Sequence, residues 1–161
     1  MDYQCRWAAR ATSDEKVLTL TVKVPSAASV RPCSKAISDY GAHKHRGCIT
    51  ISVRLRDSSS SSTDPVWIEQ LIELAERSAP APLLPLVRRP HERALTMRAY
   101  DNPAFAEDRV SGVVLDLKAD NGFASFRVEA VNDESIHNHA AFAGYASERR
   151  LDIASESFFD V

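Results

Sequence analysis

Three runs of alternating apolar and polar residues limit this chain more than any other feature. Leu18, Leu20, Val22 and Val24 are interleaved with Thr19, Thr21 and Lys23. Ile49, Ile51, Val53 and Leu55 are interleaved with Thr50, Ser52, Arg54 and Arg56, and Phe126, Val128 and Ala130 with Arg127 and Glu129. Successive side chains on a strand point to opposite faces, so each run reads as a half-buried strand with one apolar side.

Between the second and third runs the period changes. Asp64-Pro65 predicts a helix start, since Asp64 can cap and a proline in the first turn gives up an N–H that needs no partner. Trp67, Ile68, Leu71, Ile72, Leu74 and Ala75 supply its apolar face. Pro80, Pro82, Pro85 and Pro90 predict an irregular connection. Asn102-Pro103 repeats the start signal, Val110, Val113, Val114 and Leu117 recur at helical spacing, and Asp120-Asn121-Gly122 stops that helix. A fourth, weaker strand is expected within Tyr145–Ile153, and Ser58–Ser62 reads as the centre of a flexible loop over 57–63. The fold class is therefore α+β, an antiparallel four-stranded sheet with two helices on one face. Two open edges on such a sheet are expected to be closed by oligomerisation.

With 161 residues, the chain is expected to form a single domain over 1–161. A formal net charge of −2 gives no footprint for nucleic acid or membrane. No transmembrane-length run or leader is apparent, and Cys5, Cys33 and Cys48 form an odd set without finger spacing. A cytoplasmic location is expected.

Chemistry concentrates in two segments. Arg31-Pro-Cys-Ser-Lys-Ala-Ile-Ser-Asp-Tyr-Gly-Ala-His43 lies between the first two strands and is too long for a tight turn, so it reads as a functional loop. Glu134-Ser-Ile-His-Asn-His139 follows the third strand. The pairs His43/His45 and His137/His139 have the spacing that points two rings to one face of a strand, where they could share a cation with a thiolate. The plainer reading makes His45 and His139 exposed loop residues, with His43 and His137 holding the loops in shape. Cys33 could be a nucleophile with its pKa lowered by Lys35 or His43, or a small packing residue.

In their order these motifs resemble those of the type IB GTP cyclohydrolases, zinc-dependent enzymes of the tunnelling fold that open the imidazole ring of GTP. The resemblance covers about 17–145. It is carried by Pro32-Cys33-Ser34-Lys35, Ile37-Ser38, Tyr40, Gly41-Ala42-His43, Trp67-Ile68-Glu69, Pro85-Leu86-Val87-Arg88-Arg89-Pro90, Arg98-Ala99-Tyr100, Asn102-Pro103, Phe105, Glu107-Asp108 and Glu134–His139. It implies a tunnelling-fold barrel closed by a homo-oligomer, a tetramer or a dimer, acting on a small molecule. It also implies that the N-terminal module of the usual two-module enzyme is not in this chain.

Three positions depart from the family pattern. Arg31 stands where the first cysteine of Cys-Pro-Cys is usual. Pro82 aligns with a glutamate ligand, and Met97 with the glutamate that grips the guanine edge. These departures predict an enzyme that has lost GTP specificity and zinc hydrolysis. It would promote a cyclisation or ring-opening step on another small molecule, in specialised metabolism. The alternatives are an authentic metal-dependent cyclohydrolase, alone or as half of a two-subunit enzyme, and a non-catalytic ligand-binding protein. Arg31, Cys33, Lys35 and His43 are the expected catalytic residues, and Met97, Arg98, Tyr100, His137 and His139 the substrate-binding ones. No cofactor is expected; if zinc is present, the implied ligands are Cys33, His43 and His137.

Overall fold

The computed structural model describes residues 2–13, 16–28, 45–56, 66–133 and 138–147. The three alternating runs form the centre of a sheet. They are β2 (Lys16–Ala28), β3 (His45–Leu55) and β4 (Phe123–Asp133), flanked by β1 (Gln4–Ala11) and β5 (Ala140–Ala146). All neighbours are antiparallel and the spatial order follows the chain, β1-β2-β3-β4-β5. Register stacks Leu20, Val53 and Phe126 across the central strands, then Val22, Ile51 and Val128, then Val24, Ile49 and Ala130. All nine are buried.

Helices α1 (Ile68–Ser78), α2 (Arg89–Asp101) and α3 (Ala106–Ala119) connect β3 to β4. α1 packs on β2 and β3, and α3 on β4, β5 and α1. Leu71 and Ala75 of α1 and Val110, Val113, Val114 and Leu117 of α3 close the core over the apolar strand face. Each fully buried Val, Leu or Ile contributes about 1.5–3 kcal/mol relative to exposure. The opposite sheet face is polar: Thr21 and Ser52 share a hydrogen bond of 3.0 Å there, and Arg127 pairs with Glu129.

Both core helices start without a conventional cap. Trp67 and Phe105 offer no side-chain acceptor, so the helix reaches back instead. The Trp67 N–H donates to Gln70 Oε1 at 3.1 Å and the Phe105 N–H to Asp108 Oδ2 at 3.0 Å. The second interaction is half of a capping box, with a carboxylate at the positive end of α3. At the far end Gly122 N–H donates to Asp120 Oδ1 at 2.7 Å, and the chain turns into β4.

The architecture is α+β as expected, but the sheet has five strands and there are three helices among the described residues. β1 escaped notice because QCRWAARA does not alternate; every residue of it is exposed, and it pairs with β2 along its whole length. The last strand lies at Ala140–Ala146, earlier than the expected Tyr145–Ile153, because small alanines at an exposed edge carry no period. The proline-rich connection is irregular over 79–88 as expected, but an unforeseen helix, α2, begins beside its last proline. Its Pro90 sits in the first turn, where proline costs no hydrogen bond. α3 begins at Ala106 rather than at Asn102-Pro103. Asp64, Pro65 and the serine run fall outside the described residues.

Candidate functional site

β2 ends at Ala28, β3 begins at His45 and β4 ends at Asp133, and these three strand ends lie side by side. Ala28 pairs with His45, Ala27 and Asp133 both pair with Arg46, and Ser26 and Asn132 both pair with Gly47. The chain carrying Arg31–His43 therefore leaves and re-enters the sheet at the edge from which Glu134–His139 departs. The strand ends that flank two segments far apart in sequence thus lie at one end of one sheet.

His45 is not the exposed loop residue that was expected. As the first residue of β3 it points to the covered face and is 4% exposed. Its Nδ1 lies 3.1 Å from the Asp133 carbonyl oxygen. A carbonyl can only accept, so Nδ1 carries the proton in this contact. The imidazole thereby ties the start of β3 to the end of β4.

Arg109 of α3 is buried, 1% exposed. Its guanidinium donates through Nη1 to Asn132 Oδ1 at 2.6 Å and through Nη2 to Ser26 Oγ. Gly47, between those two strands, leaves the space: a Cβ there would sit 3.2 Å from Nη1 and 2.5 Å from the Val131 carbonyl oxygen. Burial lowers the Arg109 pKa to about 10, partly offset by Cys48, so the group is a cation at neutral pH. Cys48, half-buried on β3, has its thiol pushed up by burial, against the lowering pull of Lys23 and Arg109.

Met97, Arg98 and Tyr100 all lie exposed on α2, which fully buries only Ala99. Met97 and Tyr100 are three residues apart and so neighbours on the helix surface. His139 is exposed just before β5. Arg31, Cys33, Lys35, His43 and His137 lie outside the described residues. Among the described residues no group of three His, Cys, Asp or Glu side chains could hold a metal ion. Pro82, one of the three departures, is half-buried in the connection between α1 and α2.

Arg109, Ser26, Gly47 and Asn132 were missed by sequence reasoning. One signal was legible. Ala106, Arg109, Val110, Val113, Val114 and Leu117 recur at spacings of three and four, so Arg109 interrupts the apolar stripe of α3.

Comparison with known proteins extends this geometry. A family model described as type I GTP cyclohydrolase folE2 matches residues 1–143. A protein of Akkermansia muciniphila named GTP cyclohydrolase FolE2 is 46% identical over 145 residues, covering 89% of this chain and 52% of its own length. Proteins of the same name from Nitrosococcus oceani and Bordetella petrii are 42% and 46% identical, covering 92% and 89% of this chain and 53% and 51% of their own. The chain thus spans about half the length of the curated relatives it matches. These identities overturn the expectation of a repurposed enzyme that had lost GTP cyclohydrolase activity, and they favour the alternative of an authentic cyclohydrolase. Departures at Arg31, Pro82 and Met97 are few beside a likeness along about nine-tenths of the chain to proteins named for that activity.

Proposed function

Because the chain belongs to the FolE2 family of type I GTP cyclohydrolases, we propose that it is a module of a GTP cyclohydrolase that opens the imidazole ring of GTP by metal-assisted hydrolysis. The observation that carries this reading is the 42–46% identity along about nine-tenths of the chain to proteins bearing that name. The convergence of β2, β3 and β4 at one sheet end supports it, since both motif segments depart there.

Cys33, His43 and His137 would hold zinc, and this donor set suits it: one soft thiolate and two imidazoles leave a fourth position open. Zinc, when bound, lowers the pKa of a bound water and polarises the bond under attack. The chain's own groups do the rest. Arg31 and Lys35 place fixed positive charge beside the motif and hold the anionic nucleotide. His139, exposed just before β5, binds the substrate beside them. Met97, Arg98 and Tyr100 on one helix meet the purine. Met97 offers it apolar contact in place of the carboxylate usual in the family. The tunnelling fold is part of the proposal. β1 and β5 have no further strand beside them among the described residues, and pairing these edges between copies would close a barrel into a homo-oligomer.

The test is an assay of the purified chain with GTP and zinc or manganese, following formation of the pterin precursor. Turnover that disappears in His43→Ala is expected. A folded chain that leaves GTP intact refutes the reading.

A further inference from the structure

Arg109 is costly where it stands. Its guanidinium is buried, and among the described residues its partners are the neutral oxygens of Asn132 and Ser26, with no carboxylate. Nε, also buried, has no hydrogen-bond partner among the described residues. The residue lies in the first turn of α3, where the helix dipole disfavours a cation. It also displaces an apolar side chain from the stripe that packs on the sheet. Buried charges without charged partners are poor stabilising devices, and places where a local rule is broken are often functional.

The surroundings are nonetheless fitted to this one group. β2 gives Ser26, β4 gives Asn132, and β3 crosses between them with a glycine. Ser26 is two residues from the end of β2 and Asn132 one residue from the end of β4. We infer that Arg109 is a positioning residue for the site. By bonding β2 and β4 at once across Gly47, it fixes the spacing between the points from which the Arg31–His43 and Glu134–His139 segments leave the sheet. A small error in that spacing would misplace the reacting groups, and misplacement of about 1 Å can cost about 10²-fold in rate.

The inference rests on the proposed function only for its kinetic readout. The test compares the full chain with Arg109→Met by circular dichroism, hydrogen–deuterium exchange and GTP kinetics. Arg109→Met is expected to fold, with faster exchange in peptides covering the strand ends 24–28, 45–49 and 129–133 and no change in α1. Its kcat is expected to fall about 10²-fold with KM little changed, because positioning rather than binding is lost. Arg109→Lys keeps the charge and one donor and should recover part of kcat. Parental exchange in those peptides, or a loosening spread evenly over sheet and helices, would overturn the inference. Should Arg109→Met not fold, Ser26→Ala removes one of the two bonds and gives the same readouts at smaller amplitude; parental exchange there overturns it equally. If the parent chain does not turn over GTP, the proposed function fails, while the exchange pattern still decides the role of Arg109.

Discussion

Gly47→Ala is the sharpest structural probe of the strand junction. The added Cβ would lie 2.5 Å from the Val131 carbonyl oxygen, 2.7 Å from Asn132 Oδ1 and 3.2 Å from Arg109 Nη1. The nearest obstacle is backbone of the neighbouring strand, so turning a side chain away cannot relieve it. Either β3 and β4 separate locally or Asn132 moves off Arg109. Overpacking of this kind costs about 1–3 kcal/mol. Losing the Arg109–Asn132 hydrogen bond, made to a charged donor, would add about 1.5–3 kcal/mol. For a chain of this size each kcal/mol moves Tm by about 2–4 °C, so the overpacking alone predicts a fall of about 2–12 °C. Gly112 supplies the control. It lies inside α3, and a methyl added there would meet nothing within 4 Å, so Gly112→Ala should stabilise by about 0.5–1 kcal/mol through helix propensity. Thermal denaturation followed by circular dichroism reads both. A Gly47→Ala variant that melts at or above the parent, or two glycine variants that shift in the same direction, would refute the packing of this junction.

Three further outcomes follow from the same geometry. Met97→Glu places a carboxylate on a side chain that is 46% exposed, so the fold should tolerate it; KM for GTP is expected to fall roughly tenfold or more as two purine N–H donors gain an acceptor, and an unchanged KM would remove Met97 from the purine site. Burial pushes the Cys48 thiol up, whereas Cys5 is exposed, so iodoacetamide at mildly alkaline pH should label Cys5 well before Cys48 by mass spectrometry; equal rates contradict the buried placement. The sign is consistent with linkage: a thiol whose folded pKa is raised contributes stability below its ordinary range, lost as pH rises through the folded value. Leu71→Ala removes a fully buried side chain between α1 and the sheet and should cost about 2–5 kcal/mol in denaturant unfolding; a loss below about 1 kcal/mol would show that α1 does not cap this core.

Strands with one buried face declare themselves in sequence, because Leu20, Val22 and Val24 must all point one way while Thr19, Thr21 and Lys23 point the other. β1 and β5 could not be read so, since an exposed edge strand is held by backbone hydrogen bonds that leave no mark on residue type. α2 was hidden by the prolines that precede it and by its own Pro90, which falls where a helix accepts one. The motif histidines were visible, but burial of His45 was not, as it depends on β3 starting at that residue and on the Asp133 carbonyl beside it. Arg109 could have been suspected from its place in the apolar stripe of α3. Its partners could not, because Ser26, Gly47 and Asn132 meet only once three strands are in register. Function was misjudged for a different reason: three unusual residues in the motifs were given more weight than the agreement along the rest of the chain.

The central claim, that this module opens the imidazole ring of GTP, is tested most directly with GTP labelled at C8. Incubation of the purified chain with zinc and labelled nucleotide should release the C8 carbon as formate in step with GTP consumption, and His43→Ala should abolish the release. Consumption of GTP with the label still in the purine, or no consumption by a folded, zinc-loaded chain, would contradict the account.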